Sequence, residues 1–203
     1  MKNGKIRLLA ALLLVGLFVV LGLIGGPGTP VDERLVRAIH AYSADATLER
    51  AAVLLTYAGS AFVLVPLTLL FALILLVQKR RWDALALLVM ALGGRLVVEA
   101  IKLVVNRPRP VLEDYPVIVS SMSFPSGHSA NTMTSFLAFA LILVPARHRT
   151  AALATAVLGS IAVGMTRPLL GVHWPSDVLG GWTLGLLWIL LCVAFLRRDR
   201  TVA

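Results

Sequence analysis

The sequence predicts an all-α membrane protein, a bundle of six transmembrane helices with a short interfacial helix. Of the 203 residues, 59% are hydrophobic and 14% are charged, a composition far from that of soluble domains. Six apolar runs also approach the roughly 20 residues with which a helix crosses a bilayer. These runs lie at residues 8–24, 51–77, 84–105, 129–144, 150–165 and 178–196.

The basic residues predict how the helices are oriented. The net charge of +9 is spread along the chain rather than gathered in one patch, which argues against nucleic acid as a partner. Six alternating helices place the basic residues at the ends of the apolar runs on one side of the membrane, so this side and both termini are predicted to be cytoplasmic. These residues are Lys2, Lys5, Arg7, Lys79, Arg80, Arg81, Arg147, Arg149, Arg197, Arg198 and Arg200.

No internal repeat or polar linker divides the chain, so residues 1–203 are predicted to form a single domain. The first apolar run follows basic residues, which makes a cleaved signal peptide the alternative to a span. The length of the run and the lack of an A-x-A-like cleavage site favour the span. After it, the segment GGPGTP at 25–30 predicts a turn. A short amphipathic helix at the membrane interface should follow, with one face formed by Val31, Leu35, Val36 and Ile39.

Three charged residues lie within or at the edge of the third apolar run, where an ionised group is costly unless it is paired or faces a wet cavity. Arg95, Glu99 and Lys102 are spaced by four and three residues, so they share one helical face that should point into the bundle. One interpretation is a structural ion cluster, favoured for Arg95, in which Glu99 neutralises one or both cations. Lys102 instead groups with Arg107 and Arg109 as a fixed set of cations suited to an anion, although an interfacial basic collar is the alternative.

Four helix ends meet on the opposite membrane face in this layout. The third helix ends there near Lys102, the fourth begins with PSGH at 125–128, the fifth ends at Arg167 and the sixth begins near Asp177. The free N–H groups and positive dipole of a helix N-terminus bind phosphate well, and nearby cations add charge-assisted hydrogen bonds. The predicted phosphate-binding residues are Lys102, Arg109, Ser126, Gly127 and Arg167.

Two histidines in this region suggest two catalytic roles. Asp177 follows His173 by four residues, and a carboxylate bound to one imidazole nitrogen leaves the other free to attack phosphorus. His173 is therefore the candidate nucleophile, and His128 would protonate the departing oxygen and then activate water. Asp177 is alternatively the N-cap of the last helix, or Ser176 is that cap. The chemistry needs no metal and no other cofactor, and no convincing cluster of metal ligands is present in the sequence.

The three motifs together resemble the signature of the type 2 phosphatidic acid phosphatases (PAP2), an integral-membrane superfamily that shares its site with vanadium haloperoxidases and glucose-6-phosphatase. The signature is K-x6-R-P, P-S-G-H and S-R-x5-H-x3-D. This chain has KLVVNRPRP at 102–110, PSGH at 125–128 and TRPLLGVHWPSD at 166–177. Thr166 departs from the usual serine but keeps a hydroxyl group. The motif-bearing core covers about 95–181, and the six-span layout extends the resemblance over nearly the whole chain.

The resemblance implies the same residue roles and a metal-independent phosphatase acting on a membrane lipid phosphate or diphosphate. Undecaprenyl diphosphate, phosphatidylglycerol phosphate and phosphatidate are the leading substrates within the family. The expected setting is a bacterial inner membrane, with the protein multi-pass in the lipid bilayer and the site on the extracytoplasmic face. A lipid phosphotransferase and an anion-binding membrane transporter are the alternatives. The oligomeric state does not follow from the sequence.

Overall fold

The protein is built from α-helices, as the sequence predicts. The computed structural model describes residues 2–112, 116–117, 119 and 121–199, and this part of the chain contains no strand. Short 3-10 segments and one π-helical segment, Val89–Gly93, complete the helical structure. The helices are α1 (Lys2–Ile24), α2 (Pro30–His40), α3 (Ala46–Tyr57), α4 (Ala61–Val77), α5 (Arg81–Leu88), α6 (Gly94–Val105), α7 (Gly127–Leu143), α8 (Arg149–Leu169) and α9 (Pro175–Asp199).

Four stretches are long and apolar enough to cross a membrane, which makes this a multi-pass membrane protein. They are Ala46–Val77, Arg81–Val105, Ala146–Leu169 and Pro175–Phe195. The first predicted run, Leu8–Ile24, is a shorter apolar helix. The fourth lies in α7, which has 17 residues. The predicted count of six spans therefore stays a prediction.

The polarity of α7 follows from its position at the centre of the bundle. It packs mainly against α8 and α9, and its buried residues include Ser129, Asn131, Thr132, Thr134 and Ser135. Buried polar groups need hydrogen-bond partners, and the Thr132 hydroxyl has one in the Ser160 hydroxyl of α8 at 2.9 Å. Small residues let α9 approach closely: a Cβ atom on Gly181 would lie 2.6 Å from the backbone oxygen of Ser126.

The second apolar run, predicted as one segment, is interrupted at residues 58–60. The backbone N–H groups of Ala58, Gly59 and Ser60 bond three residues back, to Leu55, Thr56 and Tyr57, so the α-helical pattern ends and α4 starts anew. A Cβ atom on Gly59 would lie 3.0 Å from Cδ2 of His128. The backbone at Gly59 therefore packs directly against the start of α7, where a side chain at this position would not fit.

The turn and short helix predicted after the first run are both present. In α2, Val31 and Leu35 are 64% and 45% exposed, as expected of apolar side chains at a membrane interface. Asp32 and Val36 are buried instead. Asp32 turns inward because its carboxylate accepts the backbone N–H of Ser176, in the first turn of α9, at 3.0 Å.

Candidate active site

The three motifs meet at one end of the bundle, where α6 and α8 end and α7 and α9 begin. The backbone N–H of Ser126 donates to the backbone oxygen of Asp177 at 2.9 Å, which joins the second motif to the third. His128 is close enough to three predicted phosphate-binding cations for their charges to act on it, and these are Arg167, Lys102 and Arg109.

His173 is held between an acceptor and a donor. Its Nδ1 lies 3.3 Å from Oδ2 of Asp177, and its Nε2 lies 3.0 Å from Nη1 of Arg109. A carboxylate only accepts hydrogen bonds and a guanidinium only donates them, so Nδ1 carries the proton and Nε2 presents its lone pair. This is the tautomer that a nucleophilic Nε2 requires.

The surroundings of His173 also keep the imidazole neutral. Burial holds its pKa well below the ordinary value, and the positive charges of Arg109, Arg167 and Lys102 act in the same direction. Removing a histidine from water disfavours its charged form, as do neighbouring cations. The lone pair on Nε2 therefore stays available at neutral pH.

Asp177 serves the helix and the histidine at once. Its Oδ2 accepts the backbone N–H of Trp174 at 3.0 Å, and Trp174 immediately precedes Pro175, the first residue of α9. A side chain at the third helical position that reaches back in this way forms half of a capping box, and proline is favoured at the first position. Asp177 is therefore at the third helical position rather than at the N-cap, which makes the N-cap alternative wrong, and its bond back to Trp174 does not exclude contact with His173. The alternative cap, Ser176, instead bonds to Asp32.

Arg107 binds the other carboxylate oxygen of Asp177, Oδ1. Its Nη1 donates to Oδ1 of Asp177 at 2.8 Å and to Oγ of Ser176 at 2.9 Å. Its Nη2 donates to two backbone carbonyl groups near the end of α1, those of Leu21 and Gly22, both at 2.8 Å. The sequence grouped Arg107 with the cations suited to an anion, and this grouping is wrong because all these bonds commit the guanidinium to internal acceptors.

Lys102 and Arg167 are buried beside neutral partners. Lys102 Nζ donates to Oγ of Ser121 at 2.8 Å, and Arg167 Nη1 donates to Oγ1 of Thr56 at 2.5 Å. Within the described ranges neither cation has a carboxylate within 4 Å, and Nε of Arg167 has no hydrogen-bond partner. Buried positive charges without a counter-ion favour the binding of an anion.

The start of α7 supplies the backbone side of the predicted phosphate cradle. Ser126 is the N-cap residue, and its hydroxyl accepts from the N–H of Ser129 at 3.5 Å. A Cβ atom on Gly127 would lie 3.7 Å from Nζ of Lys102. The start of α7 at Gly127 therefore lies close to the ammonium group of Lys102, so that both could contact one anion.

The ion cluster considered for Arg95, Glu99 and Lys102 is not formed. In the part of the chain that the structure describes, no salt bridge joins any two of them. Lys102 turns to Ser121 instead. Arg95 instead lines a small cavity shared by α4, α6 and α7.

A family model described as the PAP2 superfamily matches residues 83–200, more than half of the chain. Phosphatidylglycerophosphatase B of Bacillus subtilis (strain 168) is 33% identical over 183 residues, which cover 79% of this chain and 89% of the relative. The chain belongs to the PAP2 superfamily. This confirms the family that the three motifs predict.

Two further PAP2 comparisons cover most of the chain. The undecaprenyl-diphosphatase of Sulfolobus acidocaldarius is 30% identical over 183 residues, 86% of this chain and 83% of the relative. A crystal structure of a transmembrane PAP2-type phosphatidylglycerolphosphate phosphatase from Bacillus subtilis matches with a TM-score of 0.84 at 28% identity, over 95% of this chain and 97% of that one. The likeness therefore includes α1 to α4, which precede the motifs.

Several residues around this PAP2 site were not found from the motifs. Ser123 lies two residues before PSGH, and its hydroxyl donates to Oδ2 of Asp177. Thr56 in α3 accepts a hydrogen bond from Arg167, and Ser121 in the loop after α6 accepts one from Lys102. Asp32 offered one sequence signal, since it stands four residues before Val36 and so shares its buried helical face. The others carried none, because a lone serine or threonine is common in any membrane helix or loop.

We expect the substitution Arg107→Met to lower the free energy of unfolding by about 3–5 kcal/mol, because it leaves the Asp177 carboxylate buried without its cation. Unfolding of the purified protein in detergent measures the loss. Arg37→Met, at an exposed position of α2, is the control and should change little. Adding Asp177→Asn to Arg107→Met should restore part of the stability. A single variant as stable as the control would contradict the assigned role of the ion pair.

Proposed function

We propose that this chain is an integral-membrane lipid phosphatase that hydrolyses a phosphomonoester or diphosphate of a membrane lipid through a phosphohistidine intermediate. The observation that carries the proposal is the placement of His173, whose Nδ1 lies 3.3 Å from Oδ2 of Asp177 and whose Nε2 lies 3.0 Å from Nη1 of Arg109. Membership of the PAP2 superfamily supports it, since the relatives are named as phosphatases of phosphatidylglycerol phosphate and undecaprenyl diphosphate.

Binding places the phosphate between the cations and the start of α7. Lys102, Arg109 and Arg167 donate to the equatorial oxygens, and the N-terminal N–H groups of α7 at Gly127 complete the cradle. The anion replaces neutral partners such as the Ser121 hydroxyl. When the Arg109 guanidinium turns toward the phosphate, it leaves Nε2 of His173, and this nitrogen can then approach phosphorus.

Transfer then proceeds by in-line displacement. Nε2 of His173 forms a bond to phosphorus while the bond from phosphorus to the lipid oxygen breaks. The negative charge of the bound phosphate offsets the cations around His128 and favours its protonated form. His128 then gives a proton to the lipid oxygen, so the lipid leaves as a neutral alcohol or as a lipid monophosphate. Asp177 stabilises the positive charge that develops on His173, and the cations stabilise charge on the equatorial oxygens.

Hydrolysis returns the enzyme to its starting state. His128, now neutral, takes a proton from a water molecule as the water oxygen attacks phosphorus. The bond between phosphorus and Nε2 breaks, inorganic phosphate leaves, and His173 is again neutral. The scheme uses neither a metal ion nor another cofactor.

The position of the site at a bundle end supports a lipid substrate. A lipid tail stays in the bilayer while its headgroup enters the polar end. Undecaprenyl diphosphate stands first among the three leading substrates, ahead of phosphatidylglycerol phosphate and phosphatidate, since its headgroup is presented outside. The chain acts as one domain over 1–203, with six spans in a bacterial inner membrane. The site faces outward and both termini are cytoplasmic.

This orientation is testable with tags. A tag at either terminus should be protected from protease added outside intact cells or spheroplasts and cleaved only after the membrane is opened. Arg200, one of the basic residues behind the prediction, lies outside the described residues. Cleavage of either tag in sealed cells would reverse or reject the proposed topology.

The proposed activity is tested by phosphate release from the three lipids in detergent micelles. We expect release by the wild type, unaffected by EDTA. His173→Ala should lower kcat at least about a thousandfold, and His128→Ala about a hundredfold or more. His148→Ala, at an exposed position outside the predicted site, is the matched control and should keep full activity. Loss of activity with EDTA, or normal turnover by His173→Ala, would reject the mechanism.

The pH dependence of kcat/KM reports on His173 in the free enzyme. Because burial and cations hold its pKa well below the ordinary value, the nucleophile stays neutral to lower pH, and its acid limb should lie below about pH 6.5. Arg109→Gln removes one of those cations, so the pKa should rise and the limb should move to higher pH. The ionisation of the substrate is the same in both measurements. A limb that stays in place or moves to lower pH would contradict this prediction.

A further inference from the structure

A small cavity inside the bundle lies next to the phosphate cradle, between α4, α6 and α7. Its volume is about 10 Å³, which is enough for a single water molecule. Part of its wall, Ala91 and Leu92, belongs to the π-helical segment Val89–Gly93, and such segments are frequent at functional sites. Its polar lining consists of Thr68, Arg95, Asn131 and Ser135.

Asn131 connects this cavity with the site. Its Oδ1 is buried and has no hydrogen-bond partner among the described residues. On the other side of the amide, Nδ2 would lie 3.9 Å from a Cβ atom on Gly127, and Nζ of Lys102 would lie 3.7 Å from the same atom. The donor group of Asn131 thus lies beside Lys102 at the cradle, while its acceptor is directed away from it.

Arg95 lines the cavity on the side of α6. It stands seven residues before Lys102, about 10 Å along the helix, and no carboxylate in the described residues lies within 4 Å of it. A guanidinium at this depth needs acceptors, and the buried Oδ1 of Asn131 needs a donor. A single water molecule in the cavity would meet both needs if it accepted from Arg95 and donated to Oδ1 of Asn131.

We propose that Asn131 is a further phosphate-binding residue and that Arg95 is its positioning residue, acting through one water molecule in the cavity. Nδ2 of Asn131 donates to a phosphate oxygen beside Lys102. The water accepts from Arg95 and donates to Oδ1, which prevents the amide from turning its oxygen toward the anion. The inference rests on the proposed function and extends the same site by one donor.

The alternative amide orientation shows why a positioning group is needed. With Oδ1 turned toward the cradle, a carbonyl dipole would face the negative phosphate oxygens and weaken binding. Arg95 can only donate hydrogen bonds, so it selects the orientation with the amide oxygen on its own side. Asp177 orients His173 in the same way, because its carboxylate accepts a hydrogen bond and so favours the tautomer with the proton on Nδ1.

Orthovanadate, a phosphate mimic, is the probe for the test, used with the full chain in detergent. Its dissociation constant is measured by calorimetry, and its inhibition constant is measured with phosphatidate micelles. Asn131→Ala should raise both constants about ten- to a hundredfold, as expected for one hydrogen bond to a charged group. Asn131→Asp should raise them further by adding negative charge. In phosphatidate hydrolysis, both variants should lower kcat and raise KM.

Arg95→Met should raise the constants for vanadate about tenfold in the wild type but have little further effect once Asn131 is alanine, because the two residues act as a unit. Arg95→Gln keeps a donor toward the water, so it should lose less affinity than Arg95→Met and guards against misfolding of the methionine variant. Thr68→Val is the matched control. It alters the same cavity wall, but its hydroxyl already donates to the Leu64 carbonyl at 2.7 Å, so vanadate binding should not change.

Wild-type vanadate affinity in Asn131→Ala would overturn the proposal. Independent effects of Arg95→Met and Asn131→Ala, or an equal loss in Thr68→Val, would overturn the role given to Arg95. The proposed function fails separately, if the wild type releases no phosphate from any lipid. Vanadate binding that still depends on Asn131 in such a protein would support the anion site without the hydrolase.

Discussion

The buried ion pair between Arg107 and Asp177 is the interaction on which the rest of the site depends. Its two charges lie 2.8 Å apart with almost no exposure to solvent, and such a pair is tolerated only when the remaining donors and acceptors are also satisfied. Here Arg107 meets this condition with Ser176 and with two carbonyl groups of α1. Asp177 meets it with Ser123, Trp174 and His173. One pair thus fixes α1, the start of α9 and the orientation of the candidate nucleophile.

A second physical principle separates the cations that hold the fold from those left for a ligand. Arg107 is neutralised by a carboxylate, so it contributes little field to an anion. Lys102 and Arg167 are held by the hydroxyl groups of Ser121 and Thr56, which orient them without cancelling their charge. Neutral partners of this kind keep a positive site open at the bundle end, and they are readily exchanged for phosphate oxygens.

The site was more predictable than the framework that supports it. The three motifs have fixed spacings, and alternating helices bring their ends together, so the pairing of His173 with Asp177 and the position of Gly127 beside Lys102 could both be anticipated. The K-x6-R-P spacing selects Arg109 as the phosphate ligand, but the role of Arg107 could not be anticipated, because its partner Asp177 is 70 residues away in the chain. The interruption at Gly59 was also hidden, since residues 51–77 form one apolar run and the close approach to His128 comes from another helix.

The sequence by itself determined the membrane character, the helical class, the family and the identity of the motif residues. These depend on composition, hydrophobic periodicity and local spacing, which the order of residues expresses directly. Only the tertiary structure decided which groups satisfy one another at the bundle end. Asp32 contacts the start of α9 from a helix more than a hundred residues earlier, and Arg95 lines a cavity rather than pairing with Glu99. The reason is that burial and hydrogen-bond satisfaction are settled between helices, where partners distant in the chain compete for the same donor or acceptor.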